Sequence, residues 1–258
     1  MSTAYFTQHD HETLASPLPT IDTQQVYDKL GELHRTLYRR MRDHNYDLHP
    51  DWNKARPISN RSGACNGEIQ GLSLPYLRSK EQGVLVERLM GREGADLSAD
   101  IYRHPVIELR ITPANFAIEL IMSPQSWWDQ RNLIGKLTVA RHRETLRGIL
   151  QRVEGDYRFG FWDGVHLSDM HLTSRQLLRG NILDEWMSTF SDGQDWLRIG
   201  VWYEPLDPAL DTDNILSEVV ERVLALQKLY TFMLWTSNNN FQTFYRKVVT
   251  IGGKDVFV

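Results

Sequence analysis

With 258 residues, the chain has room for one large domain or two small ones around a sizeable core. A content of 41% hydrophobic and 24% charged residues is that of a globular protein and excludes a disordered one. The net charge of −4 excludes a protein that coats nucleic acid by bulk charge, and the single cysteine, Cys65, excludes an intramolecular disulfide.

Residues 1–20 are polar and lack the basic region and apolar run of a signal peptide. No apolar run approaches the roughly 20 residues of a membrane helix. A soluble, cytoplasmic protein with no membrane contact is expected. The segment Met1 to Thr20, including His9, Asp10 and His11, is expected to be a flexible terminus. Residues 21–258 are expected to form a single domain, because no linker divides them.

Asp22 or Thr23 can cap a helix that runs to about His44, with Val26, Leu30, Leu33, Leu37 and Met41 as its buried stripe. From Asn45 to Tyr76 periodicity fails, which predicts an ordered polar loop. Within it, Arg56, Arg61 and Asn66 surround Gly63 and Gly67, a pattern suited to cradling an anion with backbone N–H groups. Ser79 starts a predicted short helix through Met90, with Val84, Leu85, Leu89 and Met90 as apolar positions.

Val106 to Ile111 and Phe116 to Met122 alternate as two strands of a hairpin, joined by Thr112-Pro113-Ala114-Asn115. The alternation puts Ile107, Leu109 and Ile111 on one face and Glu108 and Arg110, with Glu119 of the second strand, on the other. A helix is predicted after Ser126, weakened at Gly135 and Val139. A second helix runs from about Thr173 to Phe190, and a third begins at Asp211 or Thr212 and reaches Trp235. The tail offers a strand at Val248 to Ile251.

One pattern stands out. Arg158-Phe159-Gly160-Phe161-Trp162 and Arg198-Ile199-Gly200-Val201-Trp202 share the form Arg-apolar-Gly-apolar-Trp. As strands, each would place Arg, Gly and Trp on one face. The second half then reads β-β-α-β-α-β-α. An α+β fold is expected, with a mixed or largely antiparallel sheet and helices packed on at least one side.

Guanidinium forks recognise phosphate or carboxylate, indoles stack on flat rings, and a strand glycine leaves room for close approach. The expectation is therefore a polar-aromatic cleft for a small anionic, planar ligand, a nucleotide or an exposed nucleic-acid base. Arg158 and Arg198 would hold the charge and Trp162 and Trp202 would stack. Glu108, Arg110 and Glu119 would complete the site, the glutamates orienting the arginines. The alternative is that this face is covered, the arginines pair with Glu108 and Glu119, and the indoles fill space. Two other functions stay open. His166, Asp169 and His171 are good divalent-metal ligands and would suit a metal-dependent hydrolase, although H-x-x-D-x-H matches no established metal motif. A non-catalytic module that binds another protein is the other. Outside the hydrolase reading no cofactor is expected. Walker A, dinucleotide-binding, G-x-S-x-G and H-E-x-x-H motifs are absent.

Overall fold

A computed structural model describes residues 3–16, 21–52, 57–65, 67–91, 100–153, 156–162 and 172–241. Taken in chain order, these form α1 (Gln8–Thr13), α2 (Ile21–Asp43), β1 (His49–Pro50), β2 (Ser59–Ser62), β3 (Gly67–Leu77), α3 (Lys80–Leu89), β4 (Val106–Ile111) and β5 (Phe116–Met122). There follow α4 (Trp127–Leu137), α5 (Ala140–Leu150), β6 (Arg158–Trp162), β7 (Leu172–Thr173), α6 (Ser174–Leu177), α7 (Ile182–Ser188), β8 (Trp196–Tyr203) and α8 (Ile215–Met233). The fold is α+β. All these strands join one antiparallel sheet of order β1-β3-β4-β5-β8-β6-β7, with β2 also on β3.

Strand alternation divides the sheet into two unlike faces. Leu72, Leu74 and Tyr76 of β3, Ile107, Leu109 and Ile111 of β4 and Phe116, Ile118, Leu120 and Met122 of β5 enter one large core. Phe159 of β6 and Leu197, Ile199, Val201 and Tyr203 of β8 join them, under α2, α4, α5 and α8. The helix α2 buries the predicted stripe of Val26, Leu30, Leu33, Leu37 and Met41. The opposite face meets a smaller cluster of Ala64, Leu77, Ile101, Tyr102, Val106, Ile121 and Trp196. Every residue of β4 and β5 is buried, so their charged side chains have no solvent to face.

The hairpin forms in the predicted register, and the Thr112 hydroxyl accepts from the backbone N–H of Ala114 and Asn115 in its turn. Two of the three helices predicted in the second half are broken. Val139, in extended conformation, separates α4 from α5, and Gly180, with φ of 51°, separates α6 from α7. β-branching and positive φ each interrupt a helix. The predicted strand at Val248 to Ile251 lies outside the described residues.

Three expectations need correction. The segment Asn45 to Tyr76 is not a loop: β3, eleven residues long, is a central strand. Gly71 and Pro75 hide it in the sequence. Yet at Gly71 a methyl would collide with the Ile111 carbonyl, and Pro75 falls between the stretches of β3 paired with β2 and β1. In α3, Gly83, Val86 and Glu87 are the buried positions, while the expected Leu89 is exposed. The described part of the N-terminal segment is docked rather than flexible. Thr7 and Asp10 form a capping box that starts α1. Asp10 pairs with Lys29 at 2.6 Å, and the buried His11 donates from Nδ1 to the Thr112 carbonyl at 2.7 Å. Phe6 is 1% exposed and stacks on Phe116 at 5.5 Å.

A second buried polar system fixes the end of α8. The buried Arg78 and Asp129 form an ion pair, and Asp129 also accepts from the Trp235 backbone N–H at 2.7 Å. Helix C-termini leave carbonyls without partners. Here Asn132 donates to the Met233 carbonyl at 3.0 Å, Asn239 to that of Leu234 at 2.7 Å, and Lys136 to that of Phe232. Burial, opposed by Asp129, pushes the Lys136 pKa down to about 8.

The docking of the terminus yields a test. Phe6→Ala removes a ring from the main core, so it should lower the unfolding free energy by about 3–5 kcal/mol. A loose terminus would leave the denaturant midpoint unchanged.

Candidate functional site

The face opposite the helices carries the repeated motif. The strands β6 and β8 are neighbours in antiparallel register, with Phe159 opposite Ile199. That pair is the centre of a local two-fold relation between the two pentapeptides. Arg158 therefore lies opposite Gly200, and Arg198 opposite Gly160. Each arginine faces a position with no side chain on the adjacent strand. Trp162 is in register with Trp196, and the description of Trp162 stops at its backbone. Trp202 lies opposite Ala117 of β5.

The two arginines meet different neighbours. Glu119 is the partner of Gly200 on the β5 side. One of its oxygens accepts from Arg198 through Nε at 2.7 Å and through Nη2, and the other accepts from Arg110 Nη2 at 2.6 Å. One carboxylate thus joins two guanidiniums on three adjacent strands. Arg110 also approaches Glu108 at 3.4 Å. Glu108 accepts from the Ser62 hydroxyl, from the Gly63 backbone N–H at 3.2 Å and from the Tyr102 hydroxyl at 3.1 Å. All four charged groups are at most 5% exposed, and their formal charges cancel. A buried network is stable only when its members are hydrogen-bonded in this way.

The two glutamates respond oppositely. Burial by itself would raise the Glu119 pKa, but Arg110 and Arg198 outweigh it and hold the carboxyl below the ordinary range. For Glu108 burial prevails over Arg110 and Ser62, and its pKa is raised. Gly200 is part of the same construction. A methyl there would sit 2.6 Å from the Ile118 carbonyl oxygen and 2.7 Å from Glu119 Cγ. The missing side chain lets Glu119 lie across β8 between the two arginines it serves.

The Arg158 side chain, by contrast, is exposed and has no hydrogen bond or ion pair among the described residues. It lines a cleft of about 550 Å³ with Ala114, Asn115, Asp156, Thr173, Trp202, Tyr203 and Glu204. Trp202 is half-buried, and the Arg198 guanidinium lies 5.6 Å from its ring centroid. Trp202 is thus braced by the buried network on one side and contributes to the cleft on the other. The cleft size is within the range of small-molecule sites.

The structure therefore splits the predicted set. Arg158 and Trp202 reach the cleft. Arg198, Arg110, Glu108 and Glu119 are enclosed beneath it and pair with one another, the covered arrangement that the sequence left as the alternative. Burial of both faces of β4 and β5 is the reason. Arg61 belongs to β2, opposite Glu68, and its carbonyl accepts from the Tyr102 hydroxyl at 3.0 Å and from Ser73. It therefore closes a strand pair instead of forming an anion-cradling turn. Arg56 and Asn66 lie outside the described residues, as do His166, Asp169 and His171. Sequence reasoning missed Ser62 and Tyr102, which reach Glu108 from segments distant in the chain. It also missed Asp156 and Glu204, which strand alternation continued outward from Arg158 and Trp202 would have placed on the same face.

Two measurements probe the network. Glu119→Gln should cost about 3–5 kcal/mol at neutral pH, because two buried guanidiniums lose their common anion. A depressed carboxyl pKa gives stability that is full above the unfolded value of about 4 and vanishes as pH falls through the lower folded value. Glu108, with a raised pKa, contributes in the opposite sense, and the part of that rise due to the Glu119 charge is lost in the variant, but that part too disappears once Glu119 is protonated. The difference between wild type and Glu119→Gln should therefore shrink below pH 4; a constant difference would contradict the assignment. Separately, Gly200→Ala should cost about 1–3 kcal/mol by overpacking, read as a lower denaturant midpoint.

Compared with known proteins, the chain matches no family model, and no curated protein resembles it significantly.

Proposed function

We propose that the chain binds a small anionic, planar ligand, a nucleotide or an unpaired nucleic-acid base, in the cleft beside β6 and β8. The observation that carries this reading is the unequal use of the two repeat arginines. Arg198 is held by Glu119, whereas Arg158 presents a guanidinium without an ion-pair partner among the described residues to a cleft shared with Trp202. A guanidinium fork binds phosphate at two points. An indole supplies a stacking surface worth about 1–3 kcal/mol per base.

Asp156 and Glu204 line the same cleft and refine the ligand. Carboxylates repel a bare anion but accept hydrogen bonds from amino groups. A ligand with a phosphate at one end and an amino-bearing ring at the other satisfies both signs. Adenine, guanine and cytosine nucleotides have that composition; uridine nucleotides lack the exocyclic amine. Arg158 would take the phosphate, Trp202 the ring, and Asp156 or Glu204 the amine.

Melting curves with nucleoside monophosphates test the reading. A ligand of the native state at a hundred times its Kd adds about 2.7 kcal/mol of stability. AMP, GMP or CMP should raise the melting temperature more than UMP does. Arg158→Ala, at an exposed position, should keep the ligand-free melting temperature and lose the shift. The reading fails if none of these nucleotides shifts the curve, or if Arg158→Ala shifts as much as wild type.

A further inference from the structure

The helix α2 carries a second, separate feature at the β3 side of the sheet. Its solvent face opposes the buried stripe and displays Arg35, Arg39 and Arg42, all exposed. Positions i, i+4 and i+7 of a helix form one line, with side-chain origins about 6 and 10.5 Å along the axis from the first. Arg40 is also exposed but points about 100° around the helix from Arg39, away from this line. None of these four arginines forms an ion pair among the described residues. Like charges at these spacings repel by about 0.2–0.5 kcal/mol per pair. Cations near a helix C-terminus are favoured by the dipole, but that effect is confined to the last turn. It accounts for Arg40 and Arg42 and not for Arg35 and Arg39. In a chain of net charge −4, four such arginines between positions 35 and 42 are a marked local concentration.

Aromatic rings run alongside the arginines. His34 stacks on the buried Tyr76 with centroids 5.9 Å apart and on Tyr38 at 5.6 Å, and its Nδ1 is hydrogen-bonded to the Tyr76 hydroxyl at 2.9 Å. The stack leads from the core outward and ends at the half-buried Tyr38. His34, Tyr38, Arg35, Arg39, Arg42 and Asp43 line a groove of about 440 Å³. A row of guanidiniums beside a braced aromatic ring is the pairing that single strands of nucleic acid use, with phosphates on the cations and bases on the ring. A duplex would meet the arginines but hide its base faces from Tyr38.

We infer that the α2 surface formed by His34, Arg35, Tyr38, Arg39 and Arg42 binds single-stranded nucleic acid through its phosphates and one stacked base. This does not rest on the ligand assigned to the cleft, whose lining residues are on β6, β7, β8 and the β4–β5 turn.

The test is the anisotropy of a fluorescein-labelled oligothymidylate titrated with the whole chain from low to moderate salt. Engagement of three phosphates predicts a slope of about −2 for log affinity against log salt. The triple variant Arg35→Gln, Arg39→Gln, Arg42→Gln should bind at least tenfold more weakly with a shallower slope. Tyr38→Leu should weaken binding several-fold, with little change in slope. Arg175→Gln, at an exposed position of α6 that lines neither the cleft nor the α2 groove, should bind like wild type, which separates this surface from a general loss of positive charge. Unchanged circular-dichroism melting curves verify that the arginine variants fold. The inference is overturned if the oligonucleotide does not bind at low salt or if the triple variant binds as tightly as wild type. It is equally overturned if a duplex or phosphatidylserine vesicles bind as tightly as the single strand.

Discussion

A single carboxylate between two guanidiniums determines how this sheet is built. Glu119 is at the centre of the sheet, on a strand whose two faces are both covered, and it accepts from Arg110 on one neighbour and Arg198 on the other. No charged member of this group can be removed by itself without leaving an uncompensated charge in the interior. The group also demands its surroundings. Gly200 must stay small so that Glu119 can lie over it, and Ser62, Gly63 and Tyr102 must close over Glu108. Three strands and two covering segments are thereby tied to one arrangement of charges. Hydrophobic alternation by itself would tolerate other strand pairings as long as their register kept the apolar face inward.

The same economy of polar groups appears at the far side of the helices. Arg78, Asp129, Asn132, Lys136 and Asn239 together satisfy the end of α8. They connect the end of β3, α4 and the segment after α8, which are widely separated in the chain. The apolar core supplies most of the driving force for collapse, and the two polar systems select which collapsed arrangement is native. The cleft lies where this enclosure ends. Arg158 has the same local sequence as Arg198, but its neighbour across β6 is Thr173 of the short edge strand β7 rather than a glutamate on a central strand. It is left facing solvent.

Much of this was legible in the sequence, wherever the signal was periodic. The stripe of α2, the hairpin β4–β5 and the shared face of the two pentapeptides all follow from helical or alternating periodicity. The association of Glu108, Arg110 and Glu119 followed from the same alternation. What was not legible depended on context. β3 contains Gly71 and Pro75, which read as loop residues until the neighbouring strands show why each is tolerated. The buried side of α4 carries Asp129, Gln130, Asn132 and Lys136, a polar set that an apolar-periodicity rule assigns to solvent. Which of two identical arginines is enclosed could not be read either. That depends on Glu119 and Thr173, which the sheet order, rather than the motif, brings alongside.

That sheet order also has a consequence for synthesis. The strand β8 inserts between β5 and β6, so the longest ladder of the sheet joins segments far apart in the chain, with Met122 opposite Leu197. A nascent chain that has emerged only as far as α7 still lacks β8, so the edge of β5 that β8 covers has no partner strand. Such an edge is a template for pairing with another chain. Closure of so distant a pair is slow, because the entropy of the intervening loop must be overcome first. The apolar strand β5 therefore waits for its partner while four helices are made. In that interval Glu119 has Arg110 but lacks Arg198, and a strand that covered it without offering a second cation would bury a carboxylate oxygen without its partner.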